Sequence, residues 1–372
     1  MQPTYFDHAA TSPMRAVAIE AYVKHADKLN PGAAYAAGRR ARSVLDDARE
    51  QIAALLGADP IEVIFTASGT EADNLAIQGL FSAASSSRVV TSPLEHPAVA
   101  ETVRALEAEV DYLGVDRSGH VVDFSALDTP AAVVTCMMAN NETGAIQPIE
   151  EIAARAAATK SPMHVDAVQA VGKLEIDFHA LGITTLAASA HKFGGPRGTG
   201  FLLARRSPAP SAILHGGGQE RGIRPGTVDV AAAAATAAAL QEAYDEREAE
   251  HTRVQRLRDR LESEICRQVD DVVINSREPV LPSHLHVSFP GADGDSLIML
   301  LDSLGISAST GSACHSGVSR RSETLEAMGL TLDEGIGSLR LSLGPTTTEE
   351  DVSAFSAEIA DVVQRARLAG QR

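Results

Sequence analysis

The chain has 372 residues, of which 44% are apolar and 22% charged, a composition typical of a globular protein rather than of a disordered or fibrous one. Its 32 basic residues against 49 acidic ones leave a formal net charge of −17, which argues against nucleic acid or an anionic membrane as the main partner. At about 150 residues per domain, the length predicts two domains.

The N-terminal region has no basic stretch followed by an apolar run, so we expect no signal peptide. The most apolar window, residues 230–240, is too short to span a bilayer. The three cysteines, Cys136, Cys266 and Cys314, are odd in number and form no CxxC pair, which argues against a disulfide framework and a structural zinc site. We therefore expect a cytoplasmic protein without a metal.

Short β-branched runs alternate with helical patterns through the first two-thirds of the chain. Such alternation predicts an α/β fold with a mostly parallel sheet covered on both faces. Ligands of these sheets bind beyond the carboxyl ends of the strands. The predicted strands are residues 62–65, 88–91, 110–115, 131–138, 163–165, 185–188 and 200–204, and the predicted helices between them include 71–80, 98–109 and 149–159.

The stretch 227–278 contains neither Gly nor Pro, is Ala-rich at first and becomes densely charged from residue 242. This pattern predicts a long helix, or two in tandem, that leads from a first domain into a second. Strands near 286–289 and 338–343 and a helix after Thr348 follow. We expect a large α/β domain over residues 13–248 and a smaller α+β domain formed by 1–12 and 249–372.

Two segments place reactive side chains at predicted strand ends. Lys192 follows an apolar strand and opens a Gly/Pro-rich turn (189–196, SAHKFGGP), where its amine could form a Schiff base with an aldehyde cofactor. A solvated loop lysine is the alternative. Asp166 closes the next segment (163–169, MHVDAVQ), with Gln169 three residues on. Its carboxylate could hold a pyridinium nitrogen protonated, or it could simply cap a helix.

A third segment, 65–71 (FTASGTE), predicts a strand that turns through Gly69 into a helix. Ser68 and Glu71 have the spacing of a capping box. The same turn would aim free backbone N–H groups and the positive end of the helix dipole at a nearby phosphate. A helix cap without any ligand would use the same residues, so the segment alone does not decide between the two.

These segments stand in an order that resembles the cysteine desulfurases of the NifS/IscS type, which are enzymes of the class V aminotransferase superfamily that use pyridoxal 5'-phosphate (PLP) and have fold type I. The resemblance covers essentially the whole chain. Its matching segments are 6–11 (FDHAAT), 30–31 (NP), 38–39 (GR), 70–74 (TEADN), 95–96 (EH), 140–144 (NNETG), 164–167 (HVDA), 189–192 (SAHK), 215–222 (HGGGQERG), 224–227 (RPGT), 311–314 (GSAC) and 340–344 (RLSLG).

The resemblance implies a role for each site residue. Lys192 would hold PLP as a Schiff base, Asp166 would pair with its ring nitrogen, and Gln169 would bind its ring oxygen. His96 would stack on the ring and act in proton transfer. Asn141, beside the cofactor, and Arg340 would take the substrate carboxylate, for which a guanidinium fork is well shaped. The phosphate would be held by the backbone at Gly69, by Thr70, Ser189 and His191, and by Thr227 of the partner subunit.

The three cysteines differ in their surroundings. Cys136 lies in a predicted strand, and Cys266 lies near Leu261 and Ile265 on a charged helix, so we expect both to be small buried hydrophobic residues. Cys314 lies in a segment of small residues, 307–317, with nothing to bury it. In the family, the cysteine of this GSAC motif is the nucleophile that becomes a persulfide, and the GSAC form resembles the long-loop group.

The resemblance therefore implies a homodimer with shared active sites that converts L-cysteine to L-alanine. The sulfur would pass to Cys314 and then to an acceptor protein for iron–sulfur cluster or thio-cofactor biosynthesis. A class V aminotransferase would need Lys192 and Asp166 but not Cys314. A selenocysteine lyase or C–S lyase would share the PLP residues and differ in product. A sulfur carrier or assembly scaffold without enzyme activity would not need the PLP residues.

Overall fold

The computed structural model describes residues 4–311 and 322–370. Its strands are β1 (Thr4–Tyr5), β2 (Val63–Thr66), β3 (Arg88–Thr91), β4 (Glu109–Tyr112), β5 (Gly114–Val115), β6 (Val121–Asp123), β7 (Val133–Thr135), β8 (Met163–Asp166), β9 (Thr185–Ser189), β10 (Gly200–Ala204), β11 (Val273–Ile274), β12 (His284–Ser288), β13 (Ile306–Ser307) and β14 (Ser338–Ser342). Its α-helices are α1 (Ala16–His25), α2 (Ala36–Leu55), α3 (Gly69–Ala83), α4 (Pro97–Ala105), α5 (Ile149–Ala158), α6 (Val230–Gln268), α7 (Gly294–Ser303), α8 (Glu323–Ala327), α9 (Leu332–Ile336) and α10 (Glu349–Gly370).

A seven-stranded sheet in the order β2-β10-β9-β8-β7-β3-β4 forms the centre of the larger part. Its pairings are parallel except those of β10, which runs antiparallel to both of its neighbours. Helices α2, α5 and α6 contribute to the apolar core on one face, and α3 and α4 cover the other. The predicted α/β fold with a mostly parallel, doubly covered sheet is confirmed.

Three predicted elements differ from the observed ones. The predicted strand 131–138 reduces to β7, and the residues after Thr135 run on as the loop that reaches the site. The predicted helix 98–109 ends at Ala105 because the chain turns into β4, whose Glu109 N–H donates to the Ser87 carbonyl. The predicted strand 110–115 is divided between β4 and β5, and β5 pairs with β6 rather than with the large sheet.

The long Gly/Pro-free stretch forms one continuous helix, α6, rather than two. Its Ala-rich first half packs on the large sheet, and its second half packs into a separate apolar core through Leu257, Leu261 and Ile265. The prediction that Cys266 is buried is wrong, because Cys266 is exposed. Successive helix residues are rotated by about 100°, so the residue after Ile265 points away from the buried stripe.

The smaller part contains a three-stranded antiparallel sheet in the order β11-β12-β14 and the parallel pair β1-β13. Its core is formed by apolar residues of these strands, of α7, α10 and the end of α6, with Phe6, Phe289 and Phe355 among the largest. The division at residues 13–248 stays a prediction. Within residues 4–311 and 322–370, none of the helices combines the length and apolar character needed to cross a membrane.

Candidate active site

The site lies where two neighbouring parallel strands end. Strand β8 ends at Asp166, which is paired in register with Ala187 of β9. Two residues further, β9 ends at Ser189, and a 3₁₀ turn, Ala190–Lys192, follows at once. Because parallel strands end at the same edge of a sheet, the geometry brings Asp166, Ser189 and Lys192 together.

Lys192 is held in place by main-chain oxygens and is not a freely solvated loop lysine. Its Nζ donates to the carbonyls of Ala9 at 2.6 Å and Ala10 at 3.0 Å. Burial and the nearby charge of Arg340 lower the pKa of Lys192 to about 8, although Asp166 acts in the opposite direction. A lysine with a lowered pKa has a larger fraction of its amine unprotonated at neutral pH, which is the form that attacks an aldehyde.

Asp166 is a buried carboxylate, 5% exposed. Its Oδ1 accepts a hydrogen bond from the Val168 N–H at 2.8 Å, so it caps a turn, and no α-helix follows it. Burial and the neighbouring Asp73 raise the pKa of Asp166 to about 6, while His96 acts to lower it. A carboxylate in this setting gains most from a cationic partner, which would restore its ordinary pKa.

His96 occupies the N-cap position of α4. Its Nδ1 accepts a hydrogen bond from the Ala98 N–H at 3.1 Å, so in the neutral ring the proton sits on Nε2. Burial lowers the pKa of His96, with Lys192 and Arg340 acting in the same direction and Asp166 against it. The helix cap thus orients the ring and leaves Nε2 available as the hydrogen-bond donor.

The first turn of α3 approaches the end of β9 closely. A Cβ on Gly69 would lie 2.7 Å from Cγ2 of Val168 and 3.2 Å from Cβ of Ser189, so only glycine allows this approach. Ser68 caps the helix by accepting from the Glu71 N–H at 3.0 Å. The predicted capping box is only half formed, because the Glu71 carboxylate accepts from the Ala67 N–H rather than from that of Ser68.

Three further predicted phosphate ligands lie around this turn. Thr70 is exposed in the first turn of α3. Ser189 is buried at the end of β9. The Nδ1 of His191 lies 3.2 Å from the Thr11 hydroxyl, and burial together with Lys192 lowers the pKa of His191 to about 4. At neutral pH His191 therefore offers an N–H group rather than a positive charge to an anion.

Gln169 and Asn141 are each linked to a different charged residue of the site. Gln169 is 4% exposed and donates through Nε2 to the Ala9 carbonyl at 2.9 Å, the same oxygen that Lys192 contacts. Asn141 accepts through its main-chain oxygen from Nη1 of Arg340 at 3.0 Å. The structure thus connects Gln169 with Lys192 and Asn141 with Arg340.

Thr227 is exposed in the loop before α6, and within the described parts of the chain its hydroxyl makes no hydrogen bond. Thr227 does not cap α6, because Asp229 holds the N-cap and accepts from the Ala232 N–H at 3.0 Å. Arg224 ties the loop to α3 through a 2.8 Å bond to Glu71. Cys314 lies outside the described residues.

Sequence reasoning missed the pair that lies beside Asp166. Asp73 Oδ1 and His164 Nε2 are 3.1 Å apart and both side chains are almost completely buried. Burial raises the pKa of Asp73 and lowers that of His164 to about 4, which favours a pair without net charge. The signal was present, because His164 lies two residues before Asp166 and so on the same face of β8.

The comparisons with known proteins agree with one another. The sequence profile of the aminotransferase class-V family matches residues 4–355. The chain is 44% identical to the IscS-like cysteine desulfurase of Mycobacterium tuberculosis, with 98% of this chain and 97% of that protein aligned. A solved NifS-like protein matches with a TM-score of 0.90 at 31% identity, covering 98% of this chain and 100% of that one.

A second solved structure, SspA in complex with cysteine, matches with a TM-score of 0.79 at 30% identity. It covers 93% of this chain and 100% of that one. The match thus extends over both parts of the fold. With near full-length agreement in sequence and structure, the chain belongs to the aminotransferase class-V family, in its group of cysteine desulfurases of the NifS/IscS type.

Proposed function

We propose that this chain is a PLP-dependent cysteine desulfurase that converts L-cysteine to L-alanine and passes the sulfur to Cys314. The observation that carries the proposal is the meeting of Lys192, Asp166 and the first turn of α3 at one edge of the sheet. A lysine amine with a lowered pKa, a buried carboxylate and a helix N-terminus are the groups that an aldehyde, a pyridine nitrogen and a phosphate require.

The residues fit PLP on structural grounds. The glycine at position 69 leaves room beside Ser189, and the N-terminus of α3 supplies N–H groups and a positive dipole end for the phosphate. Thr70, Ser189 and His191 would add neutral donors. Asp166, whose pKa burial raises, would gain a positive partner in the ring nitrogen. When bound, PLP would supply an electron sink that stabilises negative charge at the substrate Cα.

The chain's own residues would do the rest. Arg340 and Asn141 would hold the substrate carboxylate, and the amine of Lys192 would take the Cα proton and later return it. His96, with its proton on Nε2, would stack on the ring and move a proton at the substrate. The thiolate of Cys314 would attack the substrate sulfur: an S–S bond forms, and the C–S bond breaks with its electron pair left on the substrate. Protons added at Cβ and Cα would then complete alanine, while the enzyme keeps a persulfide.

We propose a homodimer with shared sites. The isolated chain exposes apolar side chains on α1 and in the loop after it, with Val23 at 70%, Leu29 at 57% and Tyr35 at 59% exposed. Exposed apolar groups clustered in one region are typical of a protein interface. The exposed hydroxyl of Thr227, which bonds to nothing else in residues 4–311 and 322–370, would then reach the PLP phosphate of the other subunit.

The persulfide would be passed to an acceptor protein for iron–sulfur cluster or thio-cofactor biosynthesis. The negative net charge of −17 supports a protein acceptor rather than a direct nucleic-acid partner. Cys136 and Cys266 are both free thiols. Free thiols are the ordinary state of cysteine in the reducing cytoplasm, which supports the cytoplasmic location that we propose for this protein.

The test combines product analysis with chemical labelling. The purified protein should bind PLP and, with L-cysteine and a reductant, release sulfide and alanine in equal amounts. Borohydride reduction followed by peptide mapping should find the cofactor on Lys192. A label on Lys173 or Lys160 would contradict the site, and transfer of the amino group to a keto acid without sulfide release would favour an aminotransferase.

A further inference from the structure

Behind Lys192 lies a second lysine, Lys173, which the sequence motifs do not single out. Its Nζ donates to Oε1 of Gln169 at 3.2 Å. The other end of the same amide, Nε2 of Gln169, donates to the Ala9 carbonyl at 2.9 Å, and this oxygen also accepts from Lys192. A continuous chain of hydrogen bonds thus runs from one lysine amine to the other.

Lys173 is unusual because, among the described residues, it is not paired with a carboxylate, although Glu242, Glu246 and Glu250 line the same cavity. Within residues 4–311 and 322–370 it forms no ion pair, and its one hydrogen bond goes to Gln169. Together with Lys192 it lines a cavity of about 370 Å³ between the start of α1 and α6. Buried cations are normally paired with an acid, so a half-buried ammonium that contacts only an amide needs an explanation.

The chemistry of the two side chains supplies one. The oxygen and nitrogen ends of a glutamine amide are almost equal in shape, so only hydrogen-bond partners decide which end faces which way. A lysine ammonium has three donors and no acceptor. Together with the Ala9 carbonyl, it therefore selects the orientation of Gln169 in which Oε1 faces Lys173 and the N–H group faces Ala9 and the site.

We propose that Lys173 is a positioning residue, which sets the amide of Gln169 so that an N–H donor, rather than a carbonyl oxygen, is presented to the ring oxygen of the cofactor. The inference rests on the proposed function, because it assumes that PLP lies beside Gln169. Lys173 itself would contact neither substrate nor cofactor. Removing it would leave the Ala9 carbonyl alone to orient the amide, and wherever the amide turned over, an acceptor would face the ring oxygen.

Lys173 and the groups around it shift one another's pKa values. Burial, Lys192 and Arg340 lower the pKa of Lys173 to about 7. In turn, the charge of Lys173 acts with burial to lower the pKa of His8 to about 4 and that of His284 well below its usual range. Neither histidine is hydrogen-bonded to Lys173 within residues 4–311 and 322–370, so Gln169 is the acceptor that holds it there.

The experiment compares Lys173→Met, which has a similar length and no donor, with Lys173→Arg, which keeps the donors. We expect Lys173→Met to bind PLP about tenfold more weakly, the loss of roughly one hydrogen bond. The pH at which the absorption of bound PLP changes should rise by about one unit, because the ring oxygen loses a donor. The KM for cysteine should stay unchanged, and Lys173→Arg should restore most of both readouts.

A double-mutant cycle separates positioning from plain charge. Gln169→Leu and the isosteric Gln169→Glu should each produce the same spectral shift, and adding Lys173→Met to Gln169→Leu should change nothing more. If the effect of Lys173→Met persists in the Gln169→Leu background, Lys173 acts by its charge alone and the inference is wrong. If Lys173→Met does not fold, Gln169→Glu still tests the inference, because its carboxylate would pair with Lys173 and present no N–H donor to the ring oxygen.

Lys160→Met is the matched control, because Lys160 is exposed before β8, at the opposite edge of the sheet from Asp166. It should leave PLP binding and the absorption change as in the wild type. A wild-type protein that takes up no PLP would overturn the proposed function and the inference together. A desulfurase in which Lys173→Met has wild-type affinity and absorption would overturn the inference alone.

Discussion

Arg340 and Asp7 are 333 positions apart in the chain, yet Nη2 of Arg340 donates to Oδ1 of Asp7 at 2.6 Å. The guanidinium is only 6% exposed, and its Nη1 donates to the Asn141 carbonyl. Its Nε is buried and has no hydrogen-bond partner among residues 4–311 and 322–370. Asp7 and Asn141 therefore orient the fork from one side, while unengaged N–H groups remain for a substrate carboxylate.

Arg340→Lys should raise the KM for cysteine about 10- to 100-fold while PLP stays bound, because one ammonium cannot replace the fork that Asp7 orients. Steady-state kinetics and the absorption of bound PLP check this. The control is Arg365→Lys on α10, because the one ion pair of Arg365 among the described residues is with Asp361 at the surface. An unchanged KM in Arg340→Lys would place the carboxylate elsewhere.

The raised pKa of Asp166 predicts how pH affects the stability of the PLP-free protein. In the native state the pKa is raised from 3.8 to about 6, so the folded protein binds the proton more tightly than the unfolded chain. This contribution to stability is complete below pH 4 and is lost as the pH rises through 6. Relative to Asp166→Asn, which stays neutral, the wild type should lose about 1–2 kcal/mol between pH 5 and 8.

Chemical denaturation of both PLP-free proteins across this range measures that difference. The comparison with Asp166→Asn cancels most of the contribution of the buried histidines, whose pKa values are lowered and whose effect has the opposite sign. Added PLP should flatten the difference, because the ring nitrogen gives Asp166 a positive partner. If the free energies of unfolding of the two proteins changed with pH in parallel, the pKa of Asp166 would not be raised in the folded state.

The cysteines provide a test of the sulfur-transfer step. Cys314→Ala should keep the yellow cofactor, because the residues proposed to bind PLP lie elsewhere in the chain, and should release no sulfide from cysteine. Full sulfide release by this variant would favour direct lyase chemistry. Cys136→Ser and Cys266→Ser are the controls and should keep full turnover.

The same two controls should differ from each other in stability. Cys136 is 0% exposed, so a serine hydroxyl there should cost about 1–3 kcal/mol. Cys266 is exposed, so its replacement should change the free energy of unfolding by less than about 0.5 kcal/mol. Denaturation measurements decide this, and a large loss in Cys266→Ser would conflict with its position on α6.

Thr227, the proposed phosphate ligand, and Asp229, the N-cap of α6, lie two residues apart and should respond differently to substitution. Thr227→Ala should weaken PLP binding by about 1.5–3 kcal/mol without lowering the stability of the PLP-free protein, since the hydroxyl bonds only to the anion. Asp229→Ala should do the reverse and cost about 1 kcal/mol of stability. PLP titration and thermal melting distinguish the two.

The proposed dimer predicts that loss of the subunit contact also weakens PLP binding. Sedimentation at micromolar concentration should show a dimer, and Val23→Glu, at a position 70% exposed in the single chain, should weaken it. PLP affinity should then fall as in Thr227→Ala, because each phosphate would lose the hydroxyl of the other subunit. A fully active monomer would contradict the shared site.

The sequence by itself determined the elements around the site. The strands at 88–91 and 200–204 match β3 and β10 at both ends, because β-branched and apolar runs bounded by turn residues leave little choice. The segments that hold Lys192, Asp166 and Gly69 were recognised from local patterns of strand, turn and helix. These patterns involve only neighbouring residues, so they can be recognised in the sequence before the tertiary structure is known.

Only the tertiary structure decided what these residues touch. The pairs Arg340–Asp7 and Asp73–His164 join distant positions, and the exposure of Cys266 depends on how α6 packs. The role of Lys173 depends on Gln169 and on an Ala9 carbonyl that arrives from the N-terminal segment. Burial and unpaired charge arise when the chain folds back on itself, so no local pattern in the sequence can encode them.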